Sequence, residues 1–455
     1  MKKCLIFGII LFLIPVIAHP VTPPKGIKPE TALQAYLKQP DKSFKWQVVD
    51  RHQTEGVSFF RIIFTSQTWR NIPWTHEMIV MVPDQSASDH ALLFINGGSV
   101  KEGKPNTHGW DDELLKAVGN LSKTHRFIAA LLWQVPNQPL YDGLKEDALI
   151  SYTLHQFLGD RDYSWPLLFP MTKSAVSAMD VIGKFTRKET GKKIRHFVVT
   201  GASKRGWTTW LTGASDRRVK AIVPMVIDVL NMPVNIDYQR KVWGDYSVEI
   251  EDYVKLGITQ QLGTADGDDL VKMIDPFSYR KSLTMPKMVV MGTNDPYWPV
   301  DAVKNYIDLI PGENHFCYVP NAGHGLGDKK QALAALGAFT AFTAAGEAFP
   351  RFEYQIRENK ESASLKVEPT PGYLTGAVLW SSTSSDRDFR DEKWTSRDLD
   401  AAGNSPVEIE VAYPESGFKA FYVDLIYRAP AGYAFTQSTR MFVAGEEGLF
   451  LEPGK

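Results

Sequence analysis

The stretch Ile194–Gly206, IRHFVVTGASKRG, decides how the rest of the chain is read. A short run of β-favouring residues passes directly into Gly201-Ala202-Ser203 and then into helix-like spacing over Lys204–Thr212. A serine at such a strand-to-helix turn has its hydroxyl above the sheet edge and at a helix N-terminus. Small residues beside it let the two backbones approach closely. The usual spacing is G-x-S-x-G. Here the second glycine comes one place late, at Gly206, so by itself the stretch reads equally as a Gly/Ser turn after a buried strand.

Partners downstream change that balance. A serine hydroxyl needs a base to take its proton and a carboxylate to orient the base. In the fold that uses this turn, the chain order is Ser, acid, His. The strand-like run Lys287–Met291 leads into Gly292-Thr293-Asn294-Asp295, and Phe316–Val319 leads into Pro320-Asn321-Ala322-Gly323-His324. Asp295 and His324 are thus expected on loops at the same sheet edge as Ser203. Asp228, after the strand Val219–Val226, is the rival acid. His315 is the rival base, but it precedes its strand. For the oxyanion, two backbone donors are needed. Lys204 N–H is the first candidate, and Gly97 or Gly98, in the glycine-rich loop after Ala91–Ile95, is the second.

Between these points strands and helices alternate, which implies a mainly parallel sheet with helices on both faces and ligands at the carboxyl ends of its strands. The expected fold is an α/β-hydrolase body over residues 19–348. Three antiparallel strands (Lys45–Asp50, Ser58–Thr65, His76–Val82) open its sheet, and helices are expected over Thr172–Arg187, Val300–Ile310 and Lys329–Ala345. Connections as long as 134–171 and 228–285 are usually functional. The second reads as a lid whose aromatics include Tyr238, Trp243, Tyr246 and Tyr253. Trp243 and Tyr246, with Arg205 at the elbow, are the candidate substrate-binding residues. Lys204 and Arg205 fit either an anionic substrate group or pairing with local carboxylates. After residue 349 short alternating runs separated by turn residues read as a β-sandwich domain over 349–455.

Lys2 and Lys3, then the apolar run Leu5–Ile14 and small residues to Ala18, have the layout of a secretory signal peptide over 1–18. The run is too short to span a bilayer as a helix. With Cys4 in that segment, Cys317 is the one cysteine left, so a mature chain has no intrachain disulfide. A net charge of −1 gives no footprint for a nucleic-acid partner. No zinc or calcium-loop spacing is present, so neither metal nor cofactor is expected.

GASKRGWTTWL around Ser203, GTNDPYWPVDA around Asp295, NAGHGL around His324, and KEDALISYTLHQFL with WPLLFPMTKSAVSAMD upstream resemble the PhoPQ-activated pathogenicity-related protein family. The resemblance covers most of the chain after the leader and implies an α/β-hydrolase-like body and export, without a settled substrate. The G-x-S-x-x-G elbow with a basic residue after serine is also similar to glucuronoyl-type carbohydrate esterases, which favours an ester of an acidic sugar. Glu146-Asp147 offers another route, holding the amino terminus of a short peptide. The remaining alternative is a non-catalytic binding or signalling protein on a hydrolase scaffold, with a protein partner at its C-terminal domain.

Overall fold

The computed structural model describes residues 26–455 except 87, 371, 402–405 and 430; the expected signal peptide lies outside the described residues. Fourteen strands form one sheet. Its centre is six parallel strands in the spatial order Ile128–Leu132, His90–Ile95, His196–Ala202, Val219–Met225, Lys287–Gly292, Asn314–Val319. Nearly every residue in them is buried, as expected of strands covered on both faces. The meander Lys45–Thr54, Val57–Trp69, Ile72–Pro83 flanks this centre, joining it antiparallel at Ile128–Leu132. The order reverses around His90–Ile95, whose two neighbours follow it in the chain on opposite sides. That reversal opens a crevice at the carboxyl ends of the strands. The fold is an α/β-hydrolase body with extra strands.

Several helices differ from the expected ones. The long helix runs Leu168–Glu189, and Thr172, where it was expected to begin, donates its hydroxyl to Leu168 O at 2.7 Å inside the helix. Apolar residues from Leu167 to Met171 are fully buried and carry the helix back past the polar signal. Val300–Ile310 is not one helix but two 3₁₀ turns, Ala302–Asn305 and Ile307–Leu309. Here Tyr306 is held by burial and by its bond to Asp228 in a conformation that breaks the α ladder. The lid insertion folds into short helices, the longest being Met232–Trp243 and Ala265–Ile274.

The C-terminal strands form two sheets, only one of which is separate. Phe352–Glu358, Ser362–Pro369 and Val407–Ala412 make a three-stranded sheet. Ala434–Ser438, Phe418–Arg428, Leu374–Ser384 and Thr395–Leu399 continue the central sheet beyond Asn314–Val319. The change near residue 349 is therefore one of topology, from parallel to antiparallel, within a continuous sheet. At the seam Ser438 Oγ accepts from Tyr318 N at 3.0 Å and donates to Asp424 Oδ1 at 2.6 Å. Burial raises the Asp424 carboxyl to about 7. Leu365, Val367 and Ile409 of the small sheet share one core with Phe421, Val423 and Leu425. Alternation in sequence marks which face of a strand is buried, but an open sheet edge accepts any strand that presents its ladder.

Candidate active site

Ser203 sits between the strand His196–Ala202 and the helix Lys204–Ser215 with φ 58° and ψ −129°. Strain of this kind in a non-glycine residue is characteristic of a nucleophile turn. The glycines explain the spacing. A Cβ on Gly201 would come within 2.8 Å of the Arg205 carbonyl oxygen, and one on Gly206 within 2.9 Å of Met225 O. The late glycine is needed because the helix crosses the end of Val219–Met225 at the third residue after Ser203. No side chain caps this helix, so the Lys204 N–H is an orphan donor beside the hydroxyl. The next strand ends in a second strained residue, Val226, at φ 48°, unusual for a β-branched side chain. Val226 lines the same cavity as Ser203.

Asp295 and His324 meet at the ends of adjacent strands. His324 Nδ1 lies 2.9 Å from Asp295 Oδ2 and 3.1 Å from Oδ1. Asp295 Oδ1 also accepts from Tyr297 N at 2.9 Å, and the Tyr297 ring stacks on the imidazole with centroids 4.2 Å apart. The other ring nitrogen, Nε2, is buried and has no hydrogen-bond partner. Ser203 and His324 line one cavity, together with Lys204. The rivals are engaged elsewhere. Asp228 Oδ1 accepts from Tyr306 OH at 2.5 Å. Its carboxyl is raised to about 7 by burial, against the Tyr306 bond and with the charges of Asp295 and Asp301 adding. His315 is buried at the start of its strand, where Gln437 Nε2 lies 2.9 Å from its Nδ1.

The two loops are braced from the C-terminal part of the chain. Asn294 Nδ2 donates to Phe389 O, Arg390 O and Glu392 O at 3.1, 3.2 and 2.7 Å. Asn321, one loop over at φ 54°, exchanges two bonds with the backbone of Trp394, at 3.0 and 2.8 Å. Asn294 N–H donates to Ala322 O at 3.0 Å, tying the acid loop to the histidine loop. Sequence reasoning missed this brace. The signal was a pair of Asn residues flanking Asp295 and His324, which local spacing cannot connect to residues 389–394.

Five expected site residues lie apart from the cavity, and the side chain of a sixth is occupied. Gly97 N–H already donates to Asn96 Oδ1 at 2.9 Å, and neither Gly97 nor Gly98 lines the cavity; their loop packs on Arg205 and Gln134. Arg205 is not a substrate-binding cation: it grips Glu146 with two bonds of 2.7 Å and donates to Val135 O at 2.6 Å. Trp243 stacks under Arg390, 4.0 Å from its guanidinium, and Tyr246 lies by Arg240; neither reaches the cavity, because the lid helix turns that end toward the C-terminal segment. Lys204 lines the cavity, but its Nζ is held by Glu146 at 3.1 Å and Asp147 at 3.0 Å. Burial would raise the Glu146 carboxyl. The bonds and charge of Arg205, with Lys204, outweigh it and hold the group at about 2. The aromatics that do line the cavity are Trp207, Tyr253, Tyr297 and Trp298. Two of these directly follow Asp295-Pro296 in sequence.

Among the described residues one group has metal-ligand spacing: Asp89, His90 and His196, with ligand atoms within 4.8 Å of one another. His90 and His196 open their strands, so this group is at the sheet edge opposite Ser203. Asp89 there is also paired with Arg195 at 3.2 Å.

The sequence profile described as PhoPQ-activated pathogenicity-related protein matches residues 33–390. The chain belongs to that family. Autocrine proliferation repressor protein A of Dictyostelium discoideum is 30% identical over 431 residues, covering 87% of this chain and 86% of the relative. Among solved structures, an acetyl xylan esterase from Paenibacillus sp. R4 is similar with a TM-score of 0.44 and 12% identity, over 65% of this chain and 87% of that one. Acetyl xylan esterase 1 from Thermoanaerobacterium sp. JW/SL YS485 gives 0.43 and 15%, over 69% and 93%. The PhoPQ-related match ends at residue 390, inside the segment that braces the Asp295 and His324 loops. No helix among the described residues of this family member is long and apolar enough to cross a membrane.

Proposed function

We propose that this chain is an exported serine hydrolase that cleaves esters through an acyl-enzyme. The observation that carries the reading is the imidazole of His324: its Nδ1 is held by both Asp295 oxygens, and its Nε2, without a partner, belongs to a side chain that shares a cavity with the strained Ser203. Nε2 takes the Ser203 proton as Oγ attacks the ester carbonyl. Asp295 holds the ring in the tautomer that accepts at Nε2 and stabilises the imidazolium formed. The oxyanion is met by Lys204 N–H at the uncapped helix N-terminus. As the C–O bond breaks, Nε2 returns the proton to the departing alcohol. Water, activated by the same nitrogen, then releases the acid and frees Ser203.

The charges around Ser203 favour an ester over a peptide amino terminus. Glu146 and Asp147 are matched by Arg205 and Lys204, so no carboxylate is left over to bind an ammonium. Export rests on the n-region lysines and apolar run before residue 19. A fluorophosphonate probe tests the reading. Labelling of the wild type and loss of it in Ser203→Ala is the expected result. A well-folded wild type that resists the probe and turns over no ester would favour a binding protein on a hydrolase scaffold.

A further inference from the structure

The cavity at Ser203 has a volume of about 60 Å³. Its polar side chains are Ser203, His324, Lys204, Asp147 and Tyr253, together with Tyr297 and Thr259. Most of the remaining wall is hydrocarbon, including Leu154, Trp207, Val229, Met232, Ile236 and Leu262. Trp207 is one turn beyond Ser203 on the elbow helix, and Met232, Ile236 and Leu262 come from the lid insertion. Apart from Ser203 and His324, these polar side chains are already matched. Lys204 Nζ is 3.0 Å from Asp147, Tyr253 OH donates to Asp147 Oδ1 at 2.9 Å, and Tyr297 OH lies 3.5 Å from Oδ2. An acidic sugar placed here would lose its hydration without gaining an unpaired cation, a large cost for a charged group.

We infer that this cavity is the acyl pocket and that the substrate is an ester of a short apolar carboxylic acid. The inference rests on the serine-hydrolase reading and specifies its substrate class. The acyl side is assigned to the enclosed space because the acyl group stays bonded to Ser203 while the alcohol departs, and a lidded hydrocarbon pocket holds the group that must wait for water. Each methylene buried there should raise kcat/KM about threefold to fourfold until the pocket is full.

The test is a series of p-nitrophenyl esters from acetate to octanoate below their aggregation concentrations, with n-octyl acetate and the methyl ester of a glucuronoside alongside. The expected result is a rise in kcat/KM of about tenfold from acetate to butyrate. In Ile236→Trp, which fills the pocket from the lid helix, the butyrate-to-acetate ratio should fall about tenfold. Should that variant fail to fold, the wild-type series decides alone. A flat or falling acyl profile overturns the acyl pocket, as does a preference for n-octyl acetate or the glucuronoside, while Ser203-dependent turnover leaves the hydrolase reading intact. Failure of that reading looks different: no ester is turned over and no probe is bound.

Discussion

The two sides of the site are held in different ways. Ser203 is positioned by its immediate neighbours: a strand, a strained turn, two glycines where backbones cross, and a helix whose first cations close on Glu146 and Asp147. Asp295 and His324 are on loops whose bracing comes from Phe389–Trp394, some 70 to 100 residues later. A nucleophile whose geometry is strained is best fixed by rigid elements that fold with it. The acid–base pair needs only mutual orientation, which a distant segment can supply through backbone carbonyls. The C-terminal strands thus have a place in the site without touching the cavity.

Kinetics should separate the two candidate acids, Asp295 and Asp228, most sharply. Asp295→Asn is expected to lower kcat by about 10³–10⁴-fold, the scale for removing the orienting charge of a triad, with little change in melting temperature. Asp228→Asn should leave kcat within a few-fold. Its effect is on stability: a carboxyl raised to about 7 from its ordinary value contributes most at low pH, and that contribution is lost as pH rises from about 4 to 7. The variant's melting temperature should therefore gain on the wild type across that window. Melting scans at pH 4 and pH 8 check the sign.

A smaller effect tests the brace. Asn321→Ala removes two bonds to Trp394 and should cost about 1–3 kcal/mol of stability. It should also lower kcat about tenfold while fluorophosphonate labelling of Ser203 persists, since the nucleophile side does not depend on the brace. Equal loss of labelling and turnover would mean the two sides are not independently held.

The smallest effect belongs to the knot beside Ser203. Glu146→Gln should change turnover only a few-fold. Because Glu146 is held at about 2, below its ordinary value, its contribution to stability is present above about pH 4.5 and is lost as pH falls toward 2. The wild type should lose its advantage over the variant through that interval in acid-unfolding measurements.

Much of this division was legible beforehand, and for a reason. Strand-to-loop transitions ending in Ser203, Asp295 and His324 are local patterns, and the order of such transitions along the chain is the order of strand ends along the sheet. Asp295 was the expected acid and Asp228 its rival, since both follow a strand; the structure puts Asp295 against the imidazole and ties Asp228 to Tyr306 from a distant turn. Trp243 ends the lid helix and Tyr246 lies just past its Gly244 cap, and where that end points depends on how the insertion packs, which its sequence leaves free.

By itself, the sequence determined the parallel body, the elbow, and the presence of an alcohol, an imidazole and carboxylates at strand ends, since period and turn chemistry act over a few residues. Only tertiary structure decided which charges cancel, how apolar the cavity is, and that the C-terminal strands extend the central sheet and brace its loops. Those outcomes depend on pairings between residues far apart in the chain, where short-range propensity exerts no preference and burial and charge neutrality select the partner.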